Sequence, residues 1–173
     1  MQRQRQDQAV SAILSDDLRY RYRLEREVLP DGFVIAYFGI NPSTADATLD
    51  DSTVKKWIGF SERLGARKFI VGNVFAYRAT DVGELADAYN PVGSDNITHI
   101  ENIIADADLL VPCWGNRGKV PKALRPQIDW LAARMSFETQ KQEGKPVLVF
   151  GRTKSGDPLH PLMLPYATQL TTW

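Results

Sequence analysis

The stretch DGFVIAYFGINPST, residues 31–44, determines the fold class. Phe33 to Phe38 is a continuous apolar run bounded by Asp31-Gly32 and Gly39. That is the pattern of a strand covered on both faces rather than one with a wet side. A polar loop, Asn41-Pro42-Ser43-Thr44, follows directly. Strands of this kind belong to parallel sheets with helical crossovers, and ligands of such sheets bind beyond the carboxyl ends of the strands. The loop after this run is therefore the first place to look for function.

Outward from it, residues 51–64 place Val54, Trp57, Ile58 and Leu64 at helical spacing, with Asp51 or Ser52 as N-cap and Gly65 as stop. KFIVGNVF, Lys68 to Phe75, is a second buried-strand pattern with polar residues at its end. Thr80 or Asp81 caps a short helix to Ala88, and Ser94 or Asp95 a longer one through Ile97, Ile100, Ile103 and Ile104 to Ala107. Leu109 to Cys113 predicts a third strand, closing on Trp114-Gly115-Asn116. Pro121 suits the first turn of a helix carrying Leu124, Ile128, Leu131 and Met135, and Pro146 to Phe150 predicts a fourth strand ending at Gly151.

Upstream, LRYRYRLEREV over 18–28 alternates large apolar with charged residues, which predicts an edge strand with one wet face. Residues 1–16 read as a polar extension, loose or briefly helical to about Ser11, and 17–173 as one α/β domain. The expected architecture is a three-layer αβα sandwich with an N-terminal edge strand. Its four-stranded, mainly parallel sheet is built from Phe33–Phe38, Lys68–Val74, Leu109–Cys113 and Pro146–Phe150.

A chain of 173 residues, 43% hydrophobic and 24% charged, closes one ordinary globular core. Lys plus Arg and Asp plus Glu are 21 each, so no overall field draws it to a polyanion. Nucleic-acid contact would need a local patch, and Arg117, Lys119, Lys122, Arg152 and Lys154 supply one. One cysteine, Cys113, and two histidines leave no internal disulfide and no common zinc framework, which fits a reducing, cytoplasmic setting. The Gln/Arg-rich start has no apolar core of a signal peptide, and no run of roughly 18 apolar residues predicts a membrane span. No P-loop, dinucleotide fingerprint or serine nucleophile elbow is present. The expectation is a monomer with no metal, no cofactor and no membrane partner.

Four polar segments follow the four strands: Gly39 to Thr44, Asn73 with Tyr77 and Arg78, Trp114 to Arg117, and Gly151 to Lys154 leading to His160-Pro161. The topology brings them to one rim. Each also has a bland role. Asn41-Pro42 are routine turn residues, Asp51 suits a helix cap, Trp114 a core wall, His160 a loop histidine, and Arg117 to Arg125 a solvated helix face.

Gly39-Ile40-Asn41-Pro42, the strand ending in Asn73, the strand VPCWG and His160-Pro161 together resemble the uracil-DNA glycosylase superfamily, the first segment its mismatch-specific branch. INPSTADATLDDSTV, NVFAYRATD, NPVGSDN, WGN and HPLMLPY, spread over about residues 20–173, are similar to a bacterial and phage family, domain of unknown function 1643. The glycosylase resemblance implies a base-flipping pocket in the same fold. In it Asn41 orients the hydrolytic water, the Asn73 amide reads the Watson–Crick edge, and His160 supports charge on the departing base. Phe38, Phe75 or Tyr77 would stack on the base, and Gly39 and Gly115 would admit close backbone approach. Pro42, Ser43, Trp114 and Asn116 would line the pocket, with Arg117, Lys119, Arg152 and Lys154 on nucleic acid.

Three departures bear on this. Asn41 cannot act as a general base, so it only positions water. Leu162-Met163-Leu164-Pro165 replaces the small polar residue after His-Pro and leaves an apolar insertion element instead. NPSTADATLDD is longer and more negative than a phosphate-facing loop, which admits a free nucleotide or modified base as substrate. The expected function is a DNA-glycosylase-like base-binding protein that hydrolyses the N-glycosidic bond of a damaged or modified base. Its rival is a binder or processor of nucleotides, modified ones included, without that activity. A structural interaction domain is the third reading.

Overall fold

A computed structural model of the chain describes residues 10–173. Five strands form the main sheet: β1 (Val10–Leu14), β2 (Arg21–Glu27), β3 (Phe33–Gly39), β4 (Ala66–Asn73) and β5 (Leu109–Pro112), in the order β1-β2-β4-β3-β5. β3 lies between β4 and β5, parallel to both. Successive strand side chains point to opposite faces. Val34, Ala36 and Phe38 enter one apolar cluster with α2 (Asn96–Asp106) and α3 (Arg125–Gln140). Ile35 and Tyr37 enter another with Val54, Trp57 and Phe60 of α1 (Ser52–Leu64). Helices on both faces explain why the decisive run carries no polar residue.

The expected helices form where their caps stand. Asp51 caps α1 by accepting from the Val54 N–H at 2.9 Å, and Gly65 ends it in the left-handed region at φ 80°. Asp81 caps a 3-10 helix over Val82–Asp87, Asp95 precedes α2, and Pro121 opens the turn that leads into α3. No helix among the described residues is long and apolar enough to cross a membrane.

The sheet departs from expectation at both ends. β2 is not an edge: it pairs antiparallel with β1 on one side and β4 on the other, which makes the sheet mixed and five-stranded. The edge is β1, built from residues assigned above to the extension, while residues 1–9 lie outside the described ones. The fourth predicted strand leaves the sheet. Only Leu148–Val149 is a strand, β6, and it pairs antiparallel with β7 (Thr171–Thr172) in a separate ribbon. One parallel bridge, Leu110 to Val147, joins it to β5, with the Leu110 N–H donating to the Pro146 carbonyl at 3.0 Å. The next rung would need an N–H from Pro112, which has none. A four-stranded parallel sheet of the glycosylase type is therefore replaced by three parallel strands extended through two antiparallel pairings.

The wet face predicted for β2 is also covered. Pairing slips between Ile13 and Leu14, so that Tyr22 is an extra residue on β2 and Arg21 comes onto the face of Leu24 and Arg26. Both arginines are only 3% exposed. Arg21 donates through Nη1 to the Ala45 carbonyl at 2.7 Å, and Arg26 donates to Asp50 Oδ1 at 2.8 Å and to the Asp46 carbonyl at 2.6 Å. The acidic segment after β3 lies over these two guanidinium groups.

Breaking a buried charge pair leaves the partner uncompensated, so Arg26→Ala is expected to lose about 3 kcal/mol in urea unfolding. Arg19→Ala, at an exposed pair with Asp17, is expected to stay within about 0.5 kcal/mol of the parent. Equal losses would show that the segment 45–50 is not held through Arg26.

Candidate functional site

Hydrogen bonding between the β3 and β4 chains continues past the strand ends. Val74, Phe75 and Ala79 donate through their N–H groups to the carbonyls of Gly39, Ile40 and Pro42. Asn41 Nδ2 donates to the Ala79 carbonyl at 2.8 Å and to the Pro42 carbonyl at 3.1 Å, which locks the Asn-Pro turn against the second chain. At the mouth of these two strands is a cleft of about 60 Å³, lined by Arg21, Gly39, Ile40, Asn41, Ser43, Asp51, Thr53, Trp57, Asn73 and His160.

Asn73 ends β4. Asn96 Nδ2 donates to its carbonyl at 3.0 Å and to that of Val74 at 3.2 Å, so the backbone there is held firmly. The Asn73 side chain is buried, and its Nδ2 has no hydrogen-bond partner. Its Oδ1 lies against Gly39, where a Cβ would come within 2.9 Å of it. Gly39 is thus needed for close approach of that amide.

His160 arrives from the C-terminal segment. Its loop is fixed by the Gly115 N–H on the Pro158 carbonyl, the Leu159 N–H on the Gly151 carbonyl, and buried Asp157, which accepts from Arg117 Nε at 2.8 Å. Burial alone would raise the Asp157 pKa, but Arg117 more than offsets that and holds it below its ordinary value. Gly115, at φ 79°, backs the histidine: a Cβ there would meet His160 Cβ at 3.3 Å. His160 Nδ1 accepts from the Leu162 N–H at 3.2 Å, which leaves the ring proton on Nε2. Burial, assisted by the Lys119 charge, pulls its pKa below 6.5, although Asp51 opposes the shift. At neutral pH it is an uncharged donor.

Arg21, Asp51 and Trp57 complete the cleft. The Arg21 Nε has no partner, and burial pushes the Arg21 pKa down to about 10, with Asp51 acting the other way. Asp51 is occupied: Oδ1 caps α1 and Oδ2 accepts from Ser43 Oγ at 3.2 Å. The Trp57 ring stacks on Tyr37, 5.5 Å between centroids and 16° from parallel, and forms an apolar wall. On the sequence, Trp57 reads as helix packing and Arg21 as a position on a wet face, and Asp51 carries a signal only as a helix cap.

The structure brings Gly39, Asn41, Ser43, Asn73 and His160 together and separates other predicted residues from them. Phe38 and Phe75 are fully buried in the cluster under α2 and α3 and cannot stack on a ligand. Tyr77 faces a neighbouring hollow and meets Tyr20 edge-on. Trp114 belongs to the cluster on the far face of the sheet, against Trp173, because β5 turns that side chain away from α1. Asn116 Oδ1 accepts from the Gly118 N–H and caps a short turn. In the basic patch, Arg117 is engaged by Asp157 and Asp129, and Arg152 donates to the Gly156 carbonyl and lies over the Trp173 ring. Lys119 and Lys154 are exposed and form no ion pair among the described residues.

Stability should fall in acid through the histidines. The folded chain holds His160 and His99 neutral by burial, so the unfolded chain binds the extra protons as pH drops through about 6.5. The stabilising contribution is present above that pH and lost below it. His160→Gln is expected to be less stable than the parent at pH 7.5, with a gap that narrows at pH 5.5 in chemical denaturation. A constant gap would mean that His160 is not held neutral.

The family model described as Protein of unknown function (DUF1643) matches residues 21–162. No curated protein and no solved structure matches the chain. Every residue of the cleft, from Arg21 to His160, lies inside the matched segment. This chain belongs to the DUF1643 family.

Proposed function

We propose that the chain is a base-binding protein of the DNA-glycosylase type, which takes a damaged or modified base into the cleft and hydrolyses its N-glycosidic bond. The observation that carries this reading is the buried, unpartnered Asn73 amide beside Gly39 and the neutral His160 donor, at the carboxyl ends of two parallel strands. An amide donates and accepts, as a base edge requires, and burial makes a mismatched base leave polar groups unpaired. The His160 Nε2–H suits an oxygen that becomes negative as the base departs.

Asn41 has committed its Nδ2, so only its Oδ1 is free to hold water. Asp51, the one carboxylate in the cleft, is occupied by Val54 and Ser43. The site has positioned donors and no free general base, which implies a slow hydrolase. At about 60 Å³ the cleft is well below the roughly 300 Å³ or more of a ligand pocket. A base enters only if the 41–44 and 160–164 segments part. Leu162 and Met163, 39% and 88% exposed, put an apolar element beside His160 that suits insertion into stacked bases.

The second reading is a nucleotide binder without excision. The internal engagement of Arg117 and Arg152 favours it, because it takes two of the patch's cations away from a nucleic-acid backbone.

The test is single-turnover release from oligonucleotides carrying uracil, deaminated purines and hypermodified pyrimidines. His160→Ala is expected to slow release roughly 10²-fold with affinity nearly unchanged, and Asn73→Ala to lose discrimination between bases. Melting temperatures measured alongside separate these effects from loss of fold. Release of no base from any substrate overturns the hydrolase, and binding without release supports the second reading.

The Gly39 contact yields a further expectation. Gly39→Ala forces the Asn73 amide aside, so base or nucleotide binding should drop at least about 10-fold while urea stability changes by under about 1 kcal/mol. Unchanged binding would remove Asn73 from recognition.

A further inference from the structure

We propose that the inner end of the cleft is an oxyanion receptor: Arg21 supplies the positive charge, and Asn73 Nδ2 and the His160 Nε2–H supply directional donors. The inference rests on the same cleft as the proposed function but not on its chemistry.

The buried side-chain atoms of the cleft that lack a partner are Arg21 Nε, Trp57 Nε1 and Asn73 Nδ2, and all three are donors. Buried polar groups are rarely left unpaired, so a cluster of one kind calls for a ligand of the other kind. Trp57 has a weak partner in the Cys113 thiol, whose own pKa burial pushes up to about 12. Arg21 Nε and Asn73 Nδ2 have none. Arg21 also lacks a counterion: it forms no ion pair among the described residues, whereas Arg26 on the same face holds Asp50 at 2.8 Å. Asp51 acts on Arg21 without pairing with it and is already engaged by Val54 and Ser43, so the buried guanidinium, protonated at neutral pH, is only partly compensated. The slip in β2 pairing turns Arg21 onto this face and away from that of Arg23. The cleft volume admits one oxygen-bearing group rather than a whole ring system.

Two sources bring such an oxygen. In base excision the C1′–N bond breaks, and its electron pair leaves with the ring nitrogen and spreads onto a carbonyl oxygen of the base. Water oxygen bonds to C1′, and its released proton passes to the departed base or to solvent, giving free base and an abasic sugar. Arg21 then faces the negative oxygen. In a nucleotide the phosphate already carries the charge, and no bond changes.

Calorimetric titration of the full chain with inorganic phosphate, a nucleoside 5′-monophosphate and a free dioxopyrimidine base tests the receptor. One-to-one binding of at least one probe is expected. Arg21→Gln should weaken it by about 10-fold or more, Arg21→Lys should recover part, and Asn73→Asp, which puts a carboxylate where the donor stood, should weaken it further. If Arg21→Gln fails to fold, Asn73→Asp decides, since it keeps the side-chain shape. Absence of binding by the parent chain, or undiminished binding by the folded variants, overturns the receptor. Phosphate bound through Arg21 with no base bound or released keeps the receptor and ends the base reading. Base release that Arg21→Gln leaves unchanged keeps the base reading and ends the receptor.

Discussion

Two arginines on one face of β2 have to be satisfied away from water, and the rest of the site follows from how that is done. Arg21 and Arg26 are nearly as buried as the core, yet neither forms an ion pair with an acid of another strand. Their partners come from the segment after β3: the carbonyls of Ala45, Asp46 and Leu49 and the carboxylate of Asp50. Holding 45–50 in place sets where α1 starts, because Asp51 caps it one residue later. It also sets where Ser43 and Trp57 stand. The acidity of NPSTADATLDD is thereby accounted for: its charge and carbonyl dipoles face the guanidinium groups of β2.

Within that frame the cleft combines rigid backbone with unsatisfied side chains. The pairing of residues 39–42 with 74–79, the Asn41 clamp and the Asn96 clamp engage the main-chain groups around the cleft. The Asn73 Nδ2 and the Arg21 Nε, on residues that line the same cleft, are left without partners. Donors held by a scaffold that is already paired need little reorganisation when a ligand supplies acceptors, which is the condition under which fixed dipoles act most strongly. His160 is held in the same manner from the other side, through the Arg117–Asp157 pair and the Gly115 contact. Arg117 therefore acts first on the loop that carries His160.

The C-terminal segment is attached more by its side chains than by the sheet. After the single bridge at Leu110, β6 and β7 form their own ribbon. Trp173 meets Trp114 edge-on, takes Arg152 over its ring and donates from Nε1 to Ser136 Oγ at 2.9 Å. These contacts let the chain turn back across the sheet end and deliver His160 to the ends of β3 and β4.

The sequence by itself determined the family, the three parallel strands, the three helices, the Asp51 cap and Gly65 stop of α1, and the meeting of Gly39, Asn41, Ser43, Asn73 and His160 at one rim. These rest on patterns within a few residues: apolar runs, a capping acid, a glycine stop, a polar residue after a buried strand. The tertiary structure alone decided which face Arg21 takes, because a one-residue slip against β1 reverses the period-two rule. It also decided that Trp57 lines the cleft while Trp114, Phe38 and Phe75 do not, since each reads as apolar and only packing assigns a layer. The fate of Pro146–Phe150 turned on a missing N–H at Pro112 in another strand. Partners in a ladder or under a loop are remote in the chain, and local periodicity carries no record of them.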